Sequence, residues 1–273
     1  MKHLSLFSVL AFSLFQTLAS ANPTNAVASP KPSPLDAYQA LTFTAPHQTN
    51  ALLRYRFSAP PKMEPGQRYP LLVCLHGAGE RGTNNTSQVG HFLPLLKAVQ
   101  AVTPCFVVIP QVPPSQLWAT YGWSTKTETM NGAPTPMLQL TKQLIDSLVA
   151  GGAVDPDRIY ITGLSMGGYG TWEAIQRWPD FFAAAIPICG GGDPALAGKL
   201  TTLPLWAWHG EVDTVIEVNQ TRRMIDAIIA AGGQPKATYI PKCGHGAWGP
   251  AYKEASLSTW LLAQRRPSKQ SAK

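Results

Sequence analysis

Residues Tyr69-Pro70-Leu71-Leu72-Val73-Cys74-Leu75 form an unbroken apolar run that ends in His76-Gly77. A run this short and this continuous suits a strand covered on both faces, as strands of parallel sheets are. Parallel neighbours need crossover connections, usually helices. The rest of the chain alternates accordingly. Strand patterns fall at 38–44, 50–58, 105–110, 158–162, 183–188, 204–208 and 237–242, the second alternating as Leu53, Tyr55, Phe57. Helical patterns fall at 91–101, 137–150, 166–177, 217–231 and 255–264. Met137, Leu140, Leu144, Ile145 and Leu148 make one apolar stripe. Asp155-Pro156-Asp157 reads as a turn before its strand. The expected fold class is α/β, with a mostly parallel central sheet of about eight strands flanked by helices. The later crossovers are expected to be right-handed. No internal repeat is visible and nothing marks a second domain, so residues 36–265 read as one domain.

Composition removes other classes. Only 14% of the 273 residues are charged and 45% are hydrophobic, which argues against a disordered chain. The net charge of +7 raises the question of nucleic acid. Yet Lys2, Lys31, Arg265, Arg266, Lys269 and Lys273 are terminal, and residues 36–260 keep 16 basic residues against 15 acidic ones. A nearly neutral body gives no basic reading face, so no nucleic-acid partner is expected. Residues 266–273 read as a basic tail.

Lys2, the apolar run Leu4–Leu18 and Ala19-Ser20-Ala21 have the three parts of a secretory signal peptide, with cleavage expected after Ala21. Residues 22–35 read as a Pro-rich linker. No other long apolar run appears, so stable membrane insertion is not expected and the mature protein reads as secreted or periplasmic. Export permits disulfides. Cys74 lies inside an apolar run and reads as a buried thiol. Cys189 and Cys243 close two strands beside the site described next, and a bridge between them is the expectation. The four cysteines match no zinc pattern, and neither metal nor cofactor is expected.

Gly163-Leu164-Ser165-Met166-Gly167 fits G-x-S-x-G between an expected strand and an expected helix. That context makes it a nucleophile elbow, which holds a serine hydroxyl above the sheet. A serine needs a general base, and the base needs an orienting acid. In such folds the order along the chain is Ser, acid, His. Two histidines follow Ser165. His209 closes a strand and reads as structural. His245, in the loop after the last strand, reads as the base. Asp213 is the expected acid, with Asp193 and Glu211 as competitors. An oxyanion needs preorganised donors. The Met166 amide opens a helix, and the Ala78 amide lies in the glycine-rich loop 76–82; both are assigned as oxyanion donors.

The segments His76-Gly77-Ala78-Gly79-Glu80-Arg81-Gly82, Tyr160–Trp172, His209-Gly210-Glu211-Val212-Asp213 and Gly244-His245-Gly246-Ala247-Trp248 together resemble the α/β-hydrolase superfamily. Within it they are similar to secreted bacterial carboxylesterases of the phospholipase/carboxylesterase and dienelactone-hydrolase-like groups. Relatives of those groups are often labelled predicted peptidases, from their similarity to prolyl oligopeptidase catalytic domains. The resemblance spans about residues 38–264. It implies Ser165 as nucleophile, Asp213 as acid, His245 as base, and Ala78 and Met166 as oxyanion donors. Dienelactone hydrolases proper use a cysteine where this chain has Ser165, which favours ordinary esters over lactones.

Substrate contacts are less legible. Trp118 and Trp123, in the irregular stretch 111–135, and Trp248, three residues past His245, are candidates for lining an acyl or aryl pocket. Glu80 and Arg81 read as an ion pair bracing the oxyanion loop, with Arg81 meeting a substrate carboxylate as the alternative. Asn84-Asn85-Thr86 and Asn219-Gln220-Thr221 match glycosylation sequons. The expected activity is hydrolysis of small-molecule or polysaccharide-linked carboxylic esters. A small serine peptidase, a feruloyl or acetyl esterase, and a hydrolase fold used only for binding are the alternatives.

Overall fold

The computed structural model describes residues 33–45, 51–122 and 129–266. The expected signal peptide, nearly all of the expected linker, Trp123 and the tail beyond Arg266 lie outside these residues. Among the described residues, no helix is long and apolar enough to cross a membrane.

Eight strands form one sheet: β1 Gln39–Thr44, β2 Leu52–Ser58, β3 Tyr69–Leu75, β4 Phe106–Gln111, β5 Val154–Leu164, β6 Ala184–Ile188, β7 Trp206–Gly210 and β8 Lys236–Ile240. Their order across the sheet is β1-β2-β4-β3-β5-β6-β7-β8. The β1–β2 and β2–β4 pairs are antiparallel, and all later pairs are parallel. The helices are α1 Leu93–Val102, α2 Pro136–Ala150, α3 Met166–Arg177, α4 Asn219–Ala230, α5 Trp248–Ala251 and α6 Leu257–Ala263.

The continuous apolar run explains the layering. Alternate residues of a strand face opposite ways. Leu71, Val73 and Leu75 therefore enter one core, with Leu140 and Leu144 of α2 and Ile175 of α3. Leu72 and Cys74 enter the other, with Leu95 and Val99 of α1 and Leu261 of α6. Burying each such leucine stabilises by about 1.5–3 kcal/mol. Helix α2 starts where its sequence signals it. The Thr135 hydroxyl accepts the Leu138 amide at 3.3 Å, and Pro136 occupies the first turn.

Two local expectations change. Asp155-Pro156-Asp157 is not a separate turn, because β5 already starts at Val154. The pairing with β3 shifts register between Tyr69 and Leu71, so the segment is absorbed as an irregularity at the strand's start. Asp155 caps the Asp157 amide at 3.1 Å and pairs with Arg158 at 2.6 Å, which gave it the look of a turn. The second change is at β7, which runs through His209 to Gly210 and so carries the histidine inside the sheet. Strands β3, β5, β6, β7 and β8 are mutually parallel, so the loops after their carboxyl ends share one edge.

Candidate active site

Ser165 stands between β5 and α3 with φ 54° and ψ −117°. This region is strained for a residue with a side chain, at a cost of about 1–3 kcal/mol. Its neighbours show why the motif needs glycine. A Cβ on Gly163 would strike the Gly167 carbonyl, and one on Gly167 would strike the Leu75 carbonyl. The Ser165 amide donates to the Ile188 carbonyl at 2.9 Å, tying the turn to β6.

The structure brings Ser165, His245 and Asp213 together across 80 and 32 residues of chain. His245 Nε2 lies 2.9 Å from Ser165 Oγ, and its Nδ1 lies 2.7 Å from Asp213 Oδ2. A buried carboxylate can only accept, so Nδ1 carries the proton and Nε2 is left to take one. Asp213 Oδ1 receives the amides of Val215 at 2.9 Å and Ile216 at 3.0 Å. Burial pushes the Asp213 carboxyl up, but these amides and the His245 imidazole outweigh it and hold the group below the ordinary carboxylate value. Geometrically the arrangement can pass a proton from a serine to an imidazole held by a carboxylate.

The competing residues are engaged elsewhere. Asp193 receives the amides of Ala195 and Met130, both at 3.0 Å, and so joins the returning end of the 111–135 stretch to the loop after β6. Glu211 is exposed and faces Arg222 at 3.5 Å. His209 is fully buried, as its structural role requires. Its Nε2 donates to the Ile216 carbonyl at 2.8 Å, its Nδ1 meets Thr221 Oγ1 at 2.7 Å, and the Nε2 edge also faces Asp213 Oδ2 at 3.4 Å. Burial lowers its pKa against the opposing pull of the Ile216 carbonyl and Asp213.

Ala78 opens a short 3-10 turn and Met166 opens α3, so neither amide has an intrahelical acceptor. A cavity of about 290 Å³ lies beside Ser165, lined by Ala78, Glu80, Ser165, Val215, His245 and Trp248. Trp248 packs edge-on against His245, with ring centroids 5.2 Å apart. The loop carrying Ala78 is braced by His76, a role the sequence did not reveal. His76 Nε2 accepts the Val112 amide at 2.9 Å, and Nδ1 donates to the Gly77 carbonyl at 2.6 Å. Burial holds His76 down to about 4, with the Arg81 charge adding to it and the Gly77 carbonyl opposing.

The Esterase family model, described as "Putative esterase", matches residues 47–273. The chain belongs to this family. It is 38% identical to a solved thermostable esterase, with a TM-score of 0.78, over 85% of this chain and 64% of that one. It is 46% identical over 50 residues to poly(3-hydroxyalkanoate) depolymerase C of Paucimonas lemoignei, which is 18% of this chain and 12% of that protein. It is 29% identical over 162 residues to the bifunctional acetylxylan esterase/xylanase XynS20E of Neocallimastix patriciarum, 59% of this chain and 22% of that protein. The chain thus matches less than a quarter of the length of either curated relative. The eight-stranded sheet with flanking helices, and the likeness to the thermostable esterase, make the fold that of the α/β-hydrolases.

In this esterase-family chain three expectations require correction. Trp118 does not line the pocket. It is fully buried, donates its indole N–H to the His76 carbonyl at 3.0 Å, and packs where a Cβ on Gly170 would stand. Glu80 and Arg81 do not pair with each other. Arg81 Nε donates to the Ala78 carbonyl at 3.0 Å, and Glu80 faces His91 Nε2 at 3.3 Å, because the short 3-10 turn sends adjacent side chains apart. Cys189 and Cys243 are not bridged, and all four cysteines are free. The Cys243 thiol turns to the Gly244 carbonyl at 3.5 Å, while the Cys189 sulfur lies within 4.8 Å of an Asp213 carboxylate oxygen.

Proposed function

We propose that this protein hydrolyses carboxylic esters, with Ser165 as nucleophile, His245 as general base and Asp213 as the orienting acid. The reading is carried by the continuous hydrogen-bonded line from Ser165 Oγ through His245 to Asp213. In the first step Ser165 Oγ bonds to the ester carbonyl carbon as its proton passes to His245 Nε2. The carbonyl oxygen becomes an oxyanion facing the Ala78 and Met166 amides, and loss of one such donor costs about 10²–10³ in turnover. Collapse expels the alcohol, which takes the proton from His245. Water then attacks the acyl-enzyme by the same route and releases the acid.

The pocket, at about 290 Å³, suits a short acyl group with the rest of the ester outside. Two relatives are named for a poly(3-hydroxyalkanoate) and for acetylxylan, which supports esters carried on polymers as the substrate class. Export through the leader at residues 1–21 is part of the same proposal, since polymers do not enter cells. The test incubates the protein and Ser165→Ala with short-chain, long-chain and feruloyl esters and with a peptide amide. Turnover of short esters that vanishes in Ser165→Ala is the expected result. Preferred amide cleavage would make the protein a peptidase, and activity surviving in Ser165→Ala would overturn the site.

A further inference from the structure

Cys189 follows β6 with φ 49°, a left-handed conformation that a side-chain-bearing residue adopts at a cost. It is fully buried and reaches none of the other cysteines. Its sulfur, a His209 ring nitrogen and an Asp213 carboxylate oxygen all lie within 4.8 Å of one another. The sulfur thus faces the Asp213 carboxylate, and the backbones of Gly210 and Ala247 stand beside it. Gly210 lies three residues before Asp213, and Ala247 two residues after His245. One buried sulfur therefore touches both segments that carry the acid and the base. A carboxylate has no proton to give, so the thiol is the donor.

We propose that Cys189 is a positioning residue, whose thiol donates to Asp213 and sets how much uncompensated negative charge His245 meets. This rests on the catalytic reading given above. The groups facing Asp213 are His245 from the loop after β8, His209 from β7 and Cys189 from the end of β6. His245 meets Ser165 and the Trp248 ring, and behind Trp248 stands His91 beside Glu80. None of the last three touches the carboxylate. Removing the thiol leaves Asp213 with less of its charge compensated. An imidazolium beside it is then favoured, so the base takes up its proton at higher pH. Burial, aided by the Asp213 charge, pushes the thiol up to about 12 against the Gly210 and Ala247 backbones, which keeps the donor protonated through the working range.

The test compares pH profiles of ester hydrolysis for the wild type, Cys189→Ala and Cys189→Ser. In Cys189→Ala the acidic limb of kcat/KM moves up by about half to one pH unit, and kcat falls about three- to tenfold. KM stays unchanged. Cys189→Ser keeps a donor and brings the limb back. An unshifted limb in a folded Cys189→Ala protein overturns the proposal and leaves a packing role. The contact is also read without turnover and without changing Cys189. The S–H stretching band of the wild type contains a red-shifted component that relaxes in Asp213→Asn. Absence of that component overturns the proposal even if neither cysteine variant folds. A red-shifted band in a protein with no ester activity would fault the catalytic reading instead.

Discussion

The Ile216 amide donates to Asp213 at 3.0 Å while the Ile216 carbonyl accepts from His209 at 2.8 Å. One peptide segment thus holds Asp213 by one face and the buried His209 by the other. Only one oxygen of Asp213 is left for His245, and it is the one that sets the ring's orientation. Asp213→Asn keeps the amide contacts but puts an N–H against the protonated Nδ1 or forces the other tautomer. Turnover is expected to fall by about 10⁴ with little change in melting temperature. A loss under tenfold, measured by steady-state kinetics beside a thermal melt, would remove Asp213 from the mechanism.

Acid is expected to destabilise the fold before it titrates most carboxylates. His76 is held at about 4 when folded, against 6.5 for an ordinary histidine, and His209 is shifted the same way. Between these values the unfolded chain binds protons that the folded chain refuses, so stability is present above about pH 6.5 and lost towards pH 4. His76 alone contributes about 3 kcal/mol to this slope. Asp213, shifted down, adds its loss only below the ordinary carboxylate value. Melting temperatures of the wild type and His76→Gln across this range check the assignment, since the variant has the shallower slope. Parallel slopes would show that His76 is not the group responsible.

Thiol chemistry separates Cys243 from the rest. Burial raises Cys74 well above its ordinary value and lifts Cys105 and Cys189 to about 12, and all three are buried. A disulfide reagent added to native protein without reductant is expected to modify Cys243 alone, and all four cysteines after denaturation. Recovery of only two thiols on denaturation would restore the bridge.

Two tryptophans that look alike in sequence are expected to fail differently. Trp118→Phe loses a buried hydrogen bond and core volume, lowering stability by about 1–3 kcal/mol without moving KM. Trp248→Ala strips one wall of the pocket and raises KM several-fold with a smaller loss of stability. The reverse pattern, from melts and kinetics on both variants, would mean that the pocket is wrongly placed.

Gly167 and Gly79 make the same contrast among glycines. Gly167→Ala drives a methyl group into the Leu75 carbonyl, and a cost above about 3 kcal/mol is expected. A Cβ on Gly79 meets nothing within 4 Å, and Gly79→Ala is expected to melt near the wild type. Equal tolerance at both sites would show that the elbow is not packed as described.

Much of the fold is legible in the amino-acid sequence. The layers follow from Leu71 to Leu75, because an apolar residue on each face of a strand demands cover on both sides. The elbow is legible because its glycines meet backbone a few residues away or on the adjoining strand, in a turn whose geometry recurs. The irregularity at the start of β5 is not, since a register shift belongs to the pair β3–β5 and not to either strand.

The alternation of strand and helix, the elbow at Ser165 and the chain order of Ser165, Asp213 and His245 can be read along the chain. These rest on local periodicity, backbone sterics and chain order. Which tryptophan meets the pocket, that Arg81 braces Ala78 and that Cys189 faces Asp213 follow from the folded arrangement. Those contacts join segments brought together by the sheet, or depend on rotamers chosen by the surrounding packing. Their energies depend on where each side chain points once the core has closed, which no spacing along the chain encodes.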